Sequence, residues 1–191
     1  MIKIIYFLVF LPITGFSQAK DFPILKGPYL GQKPPRMLPE IFAPDIISTD
    51  QDLHSCPAFS PDGKSLFWRI MNAGEKNGIY YMELEENQWT LPQKAAFGEI
   101  ENNITYDVPV FSVENDLFFT SDREFNGTRK KRIWFNTKTN GIWGKPICFE
   151  EFNPEDISLH WQFTFSNKGN IYFTGMMDNG FGKYDIFVAK K

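Results

Sequence analysis

The sequence is poor in the residues that most often do chemistry. It holds two cysteines and two histidines in 191 residues, too few for a disulfide-stapled scaffold or a histidine-rich metal centre. A basic surplus is also missing: 20 Lys and Arg stand against 23 Asp and Glu. That balance gives no sequence-wide attraction to nucleic acid or anionic lipid, and no nucleic-acid partner is expected. After the first dozen residues no apolar run is long enough to cross a bilayer, so no stable membrane span is expected. Neither Ser/His/Asp nor Cys/His nucleophile spacing occurs, no Gly-rich loop precedes a helix, and no carboxylate pair has a setting that would raise one pKa. No cofactor and no metal is expected. What the chain has in excess is rings: 20 Phe, 7 Tyr and 5 Trp. A chain so aromatic, with ordinary charge, is built to bury a core and is neither disordered, collagenous nor coiled-coil.

The N-terminus carries an export signal. Lys3 supplies a charge, Ile4 to Leu11 is wholly apolar, and Pro12-Ile-Thr-Gly-Phe-Ser17 ends in small residues suited to a signal peptidase. Residues 1–19 are read as a signal peptide, cut after Ser17 or Ala19, so the mature protein is secreted or periplasmic. Residues 20–38 form an extended lead-in.

An internal repeat organises the rest. Phe59-Ser-Pro-Asp-Gly-Lys-Ser-Leu-Phe-Trp68 matches Phe111-Ser-Val-Glu-Asn-Asp-Leu-Phe-Phe-Thr120 and Phe165-Ser-Asn-Lys-Gly-Asn-Ile-Tyr-Phe-Thr174. Each unit holds four short runs rich in Phe, Tyr, Ile and Val, separated by Asp-Gly and Asn-Gly turns, the pattern of strands and hairpins. The runs are named strands a to d. Strand b is apolar on both faces in Leu66-Phe-Trp68, Leu117-Phe-Phe119 and Ile171-Tyr-Phe173, so each sheet is expected to be covered on both sides. A period near 50 residues with four strands per unit predicts an all-β fold of β-propeller blades. They are placed at 56–97, 108–149 and, in part, 162–191, preceded by an outer strand over 39–47. The order d-abcd-abcd-abc gives an arc of three four-stranded blades, either half of a six-bladed ring completed by a homodimer that exchanges its early strand, or a shortened propeller.

The Phe59-Ser-Pro-Asp-Gly-Lys64 turn with its aromatic strands resembles the WD40-like repeats of TolB-type propellers and their exported relatives in bacterial envelopes. The lead-in Gly27-Pro-Tyr-Leu-Gly-Gln-Lys-Pro-Pro35 and Pro39-Glu-Ile-Phe-Ala-Pro44 resemble the start of secreted members. The resemblance spans roughly residues 27–191. It implies an exported, non-catalytic scaffold binding a protein or glycan in the envelope; the alternative is a glycan- or peptide-acting hydrolase or lyase working at the channel mouth. Ser60-Pro-Asp62-Gly63-Lys-Ser65 also approaches the Asp-box of sialidase-type propellers but is one residue short. Asp62 is therefore expected to bond its own turn.

His54, Tyr106 and His160 each stand five residues before a repeat Phe, one equivalent position in three units, and are the candidate binding residues. Asp52, Asp107 and Asp156 stand near them. Arg129-Lys-Lys-Arg132 is read as a solvated b–c hairpin, and Trp89 and Trp143 as rings packing an outer strand on its neighbour. Asn103-Ile-Thr105 and Asn126-Gly-Thr128 fit the N-glycosylation acceptor pattern. Cys56 and Cys148 lie on strands of different units at opposite sheet edges and are expected not to pair.

Overall fold

The computed structural model describes residues 22–34, 36–50, 52–53, 57–71, 78–98, 106–152 and 156–191. Among these there is no α-helix, only strands and two short 3-10 turns. Residues 1–19, read as a signal peptide, and His54, Cys56 and Asn103 lie outside the described residues.

Three antiparallel meanders follow one another along the chain. The first contains β1 (Asp52–Leu53), β2 (Ala58–Phe59), β3 (Ser65–Met71), β4 (Gly78–Glu85), β5 (Gln88–Trp89) and β6 (Gln93–Lys94). β1 and β2 both pair with β3 as a divided strand a, and β6 pairs with β4 as strand d. The second has the order β7 (Tyr106–Phe111), β8 (Leu117–Ser121), β11 (Arg132–Asn136) and β14 (Ile147–Cys148). Two small hairpins decorate it, β9 (Glu124–Phe125) with β10 (Thr128–Arg129), and β12 (Lys138–Thr139) with β13 (Ile142–Trp143). The third is β15 (Ser158–Phe165), β16 (Ile171–Met176) and β17 (Asp185–Ala189).

The a–b turns show why the repeat sequence folds this way. Ser60 Oγ accepts from the N–H groups of Lys64 and Ser65 at 3.1 and 2.8 Å. Ser112 does the same for Glu114 and Asp116, and Ser166 for Lys168 and Asn170. The serine after each repeat Phe is thus a staple that satisfies turn N–H groups. Gly63, Asn115 and Gly169 have φ of 68°, 72° and 79°, so Asn and Gly replace one another at a left-handed position. The first turn holds one residue more than the others. Phe59 pairs with Leu66, Phe111 with Leu117, and Phe165 with Ile171, which brings the three strand-b triplets into one register.

That register decides the packing. Leu66 and Trp68 point back toward the N-terminal segment, while Phe67 points forward onto Leu117 and Phe119 of the second sheet. Phe118 in turn points forward onto Ile171 and Phe173 of the third. The second sheet is covered on both faces, as its doubly apolar strand b requires.

Two expectations are corrected. Residues 39–47 are not an outer strand: Pro44 makes a single bridge to Ser48, and Ile46, Ile47 and Ser48 donate to the Ala43 carbonyl, closing a turn. Pro39 and Pro44 lack the N–H groups a strand ladder needs. Ala43 and Ile47 instead bury against the first sheet beside Leu30, Trp68 and Met82. Strand a also starts earlier than residues 56, 108 and 162, because β1 pairs with β3 in the first sheet and the ladder continues past a bulge in the second and third.

Candidate functional site

The bulges fall where the sequence places its candidate residues. In β7 the register slips between Asp107 and Val110, and in β15 between Leu159 and Phe163. In the first sheet Leu53 opposes Ile70 and Ala58 opposes Phe67. Bulges re-aim side chains and mark sheet positions under special constraint. Val108, β-branched, is held at φ 51° inside the bulge of the second sheet, a conformation that surrounding structure must enforce. Tyr106 opens β7 opposite Ser121. His160 is half-buried in the bulge of the third sheet, its Nδ1 is 2.8 Å from Gln162 Oε1, and its ring lies 4.6 Å from that of Tyr184. The described contacts of His160 are thus all within its own sheet. Among the described residues, no three His, Cys, Asp or Glu gather to hold a metal ion. Asp156 is exposed and lines a pocket of about 360 Å³ with Lys130, Lys131, Arg132 and Asp178. The basic run is therefore more than a solvated hairpin. Arg132 is buried, donates to the Thr128 and Lys130 carbonyls, and lies over the Phe125 ring.

A larger concavity than the Asp156 pocket lies elsewhere, between strand c of the first sheet and the β12–β13 hairpin. It is a groove of about 890 Å³. Strand c of the first sheet supplies Tyr81, Glu83 and Glu85, the c–d connection supplies Thr90, β6 supplies Gln93, the β12–β13 hairpin supplies Lys138 and Trp143, and Lys145 follows it. The hairpin is built by Asn140-Gly141 with φ of 51° and 80°, the two-residue turn that matches strand twist.

Glu83 is the hub of this groove. It takes the Lys138 ammonium at 2.8 Å and the Ser65 hydroxyl at 2.7 Å, and the indole N–H of Trp143 donates to it at 3.1 Å. Lys138 also sits 5.5 Å from the Trp143 ring centroid. One carboxylate on β4 thereby ties together four strands, its own, β3 and both strands of the β12–β13 hairpin, with charge-assisted bonds. Trp89 makes the equivalent link one layer earlier, donating its indole N–H to the Gly27 carbonyl at 2.8 Å. Both tryptophans lie in c–d connections, on β5 and β13 and not on the outer strands β6 and β14 themselves, and tie those connections to the layer before.

Around the hub, the Tyr81 hydroxyl donates to Gln93 Oε1 at 3.1 Å while its ring stacks on Phe67. Burial, followed by the charges of Glu83 and Glu85, pushes the Tyr81 phenol above its usual range, so it stays a neutral donor. Burial works against ionisation of Asp62, but the Ser60 hydroxyl, the Lys64 N–H and the charges of Lys64 and Lys138 outweigh it and hold the carboxyl below the usual range. Asp62 bonds its own turn, as expected. Cys148 is a free, buried thiol, pushed up by that burial. Strand-c polar residues such as Glu83 gave no signal beyond ordinary alternation, which is why sequence reasoning passed over the groove. Comparison with known proteins finds no matching family model, curated protein or solved structure.

Proposed function

We propose that the chain is an exported, non-catalytic scaffold of the β-propeller type, with three repeat sheets as blades, that binds a glycan or protein segment of the cell envelope. The observation that carries this reading is the bonding of Glu83 and Asp62, two of the carboxylates of the groove. Glu83 has three internal donors, and Asp62 is bonded within its turn. Groups so occupied position walls; they do not exchange protons with a substrate, which requires a free lone pair within reach. The groove still offers Thr90, Gln93 and Lys145 beside the Tyr81 hydroxyl, a mixture of neutral polar groups, one ammonium and an aromatic edge suited to hydroxyl-rich or peptide ligands. Three repeats of one antiparallel meander, the second and third bulged in strand a, support the blade assignment.

The test is to pass the mature protein over an envelope glycan and peptide array and to incubate it with chromogenic glycosides and peptides. The reading expects retention without turnover, weakened at least tenfold by Gln93→Ala combined with Lys145→Glu. Turnover that survives purification of the wild-type protein would instead establish the hydrolase or lyase alternative.

A further inference from the structure

Repeat equivalence fixes what each sheet presents forward. Phe67, Ile79 and Tyr81 of the first sheet correspond to Phe118, Ile133 and Phe135 of the second and to Tyr172, Ile186 and Val188 of the third, because each set holds the same register across strands b and c. The first two sets are covered by the following sheet: Ile79 and Ile133 are 0% exposed. In the third set Ile186 is 79% exposed, Val188 48% and Tyr172 43%. β17 is thus apolar on both faces with one face bare, whereas a strand facing water alternates apolar with polar.

The composition of the third sheet points the same way. Its strands, Ser158–Phe165, Ile171–Met176 and Asp185–Ala189, hold one charged side chain among them, Asp185. That carboxylate is turned to its own loop, accepting from the Phe181 N–H at 2.9 Å. The strands of the first sheet, by contrast, carry Arg69, Glu83 and Glu85. Depletion of charge around aromatic and aliphatic side chains is the mark of an interface core, and a face without charge meets its own copy without repulsion.

The opposite end of the stack is closed. The rear of the first sheet is buried under Leu30, Ala43 and Ile47, and Lys26 bridges Gln88. A head-to-tail array would have to strip that cover away. We propose that two copies of the chain pair about a two-fold axis through the forward faces of their third sheets, continuing the face-to-face packing that already joins the sheets within each copy. Such an isologous contact closes on itself and leaves no further open face. The proposal is independent of what the groove binds.

Sedimentation velocity of the mature protein tests it. The expected species is a dimer at micromolar concentration, and Ile186→Glu or Val188→Lys, which place an unpaired charge at the buried contact, weaken it by about 100-fold or more while the far-ultraviolet spectrum is unchanged. A Lys26→Cys, Gln88→Cys disulfide, made with Cys56 and Cys148 replaced by serine, fixes the N-terminal segment to its own first sheet; the dimer should persist. A wild-type monomer, open-ended oligomers, or a dimer lost on tethering would each overturn the proposal, the last in favour of exchange of the N-terminal segment.

Discussion

At the scale of single residues, the serine that follows each repeat Phe does the most for its size. Ser112 is buried, and its hydroxyl is the described side-chain partner of two turn N–H groups. Ser112→Ala should cost about 1–3 kcal/mol, the penalty for leaving such groups without a partner, measured by urea unfolding. Ser112→Val would be tolerated no better, because it too removes the hydroxyl acceptor. The acidic residues of these turns have opposite pH signatures. The Asp62 carboxyl is depressed in the folded state, so its contribution is fully present above the unfolded value near pH 4 and is lost as pH falls through the lower folded value. Asp116 is raised by burial and then by Glu114, so it favours the folded state at low pH and loses that contribution as pH rises through the raised value. Asp62→Asn should therefore flatten acid destabilisation, and Asp116→Asn should relieve a penalty present at neutral pH; unfolding midpoints between pH 2 and 7 separate the two.

At the scale of elements, the strands and hairpins were legible because their signals are local. Doubly apolar triplets such as Leu117-Phe-Phe119 and turn pairs such as Asn140-Gly141 mean the same thing in any sheet. The 39–47 segment reads as a strand because Pro39 stands almost the same distance before Phe59 as Pro92 and Pro146 stand before Phe111 and Phe165, but proline at 39 and 44 disfavours a ladder. Its true role depends on contacts with Trp68 and Met82 that no spacing reveals. The groove was illegible for a related reason: Glu83 and Trp143 are 60 positions apart and meet only when two sheets stack. Trp143→Phe keeps the ring on Phe67, 5.2 Å away, but removes the indole donor to Glu83. A loss of about 1.5–3 kcal/mol is expected for a bond to a charged acceptor, read by denaturant unfolding, and pairing it with Glu83→Gln should give less than the sum of the two single losses.

At the scale of the whole molecule, stability should pass from sheet to sheet through the forward-pointing rings. Phe118 is 7% exposed and sets its ring against Phe135, Phe149 and Phe165 at 5.3, 5.4 and 4.7 Å. Tyr172 holds the same place one repeat later and is 43% exposed. In a stack where each layer contacts only its neighbours, the worth of a position is set by the layer it meets. Phe118→Ala should then cost about 3–5 kcal/mol, as for a large ring removed from a packed core, at every protein concentration. Tyr172→Ala should cost under about 1 kcal/mol in dilute solution, where its face is bare, and more as concentration rises and the face is covered, because association stabilises only the folded state. Urea titrations of both variants at two protein concentrations well apart decide it. Equal losses from both in dilute solution would mean that the sheets do not gain their stability from stacking in sequence, and a Tyr172→Ala loss that ignores concentration would mean that nothing covers the third sheet.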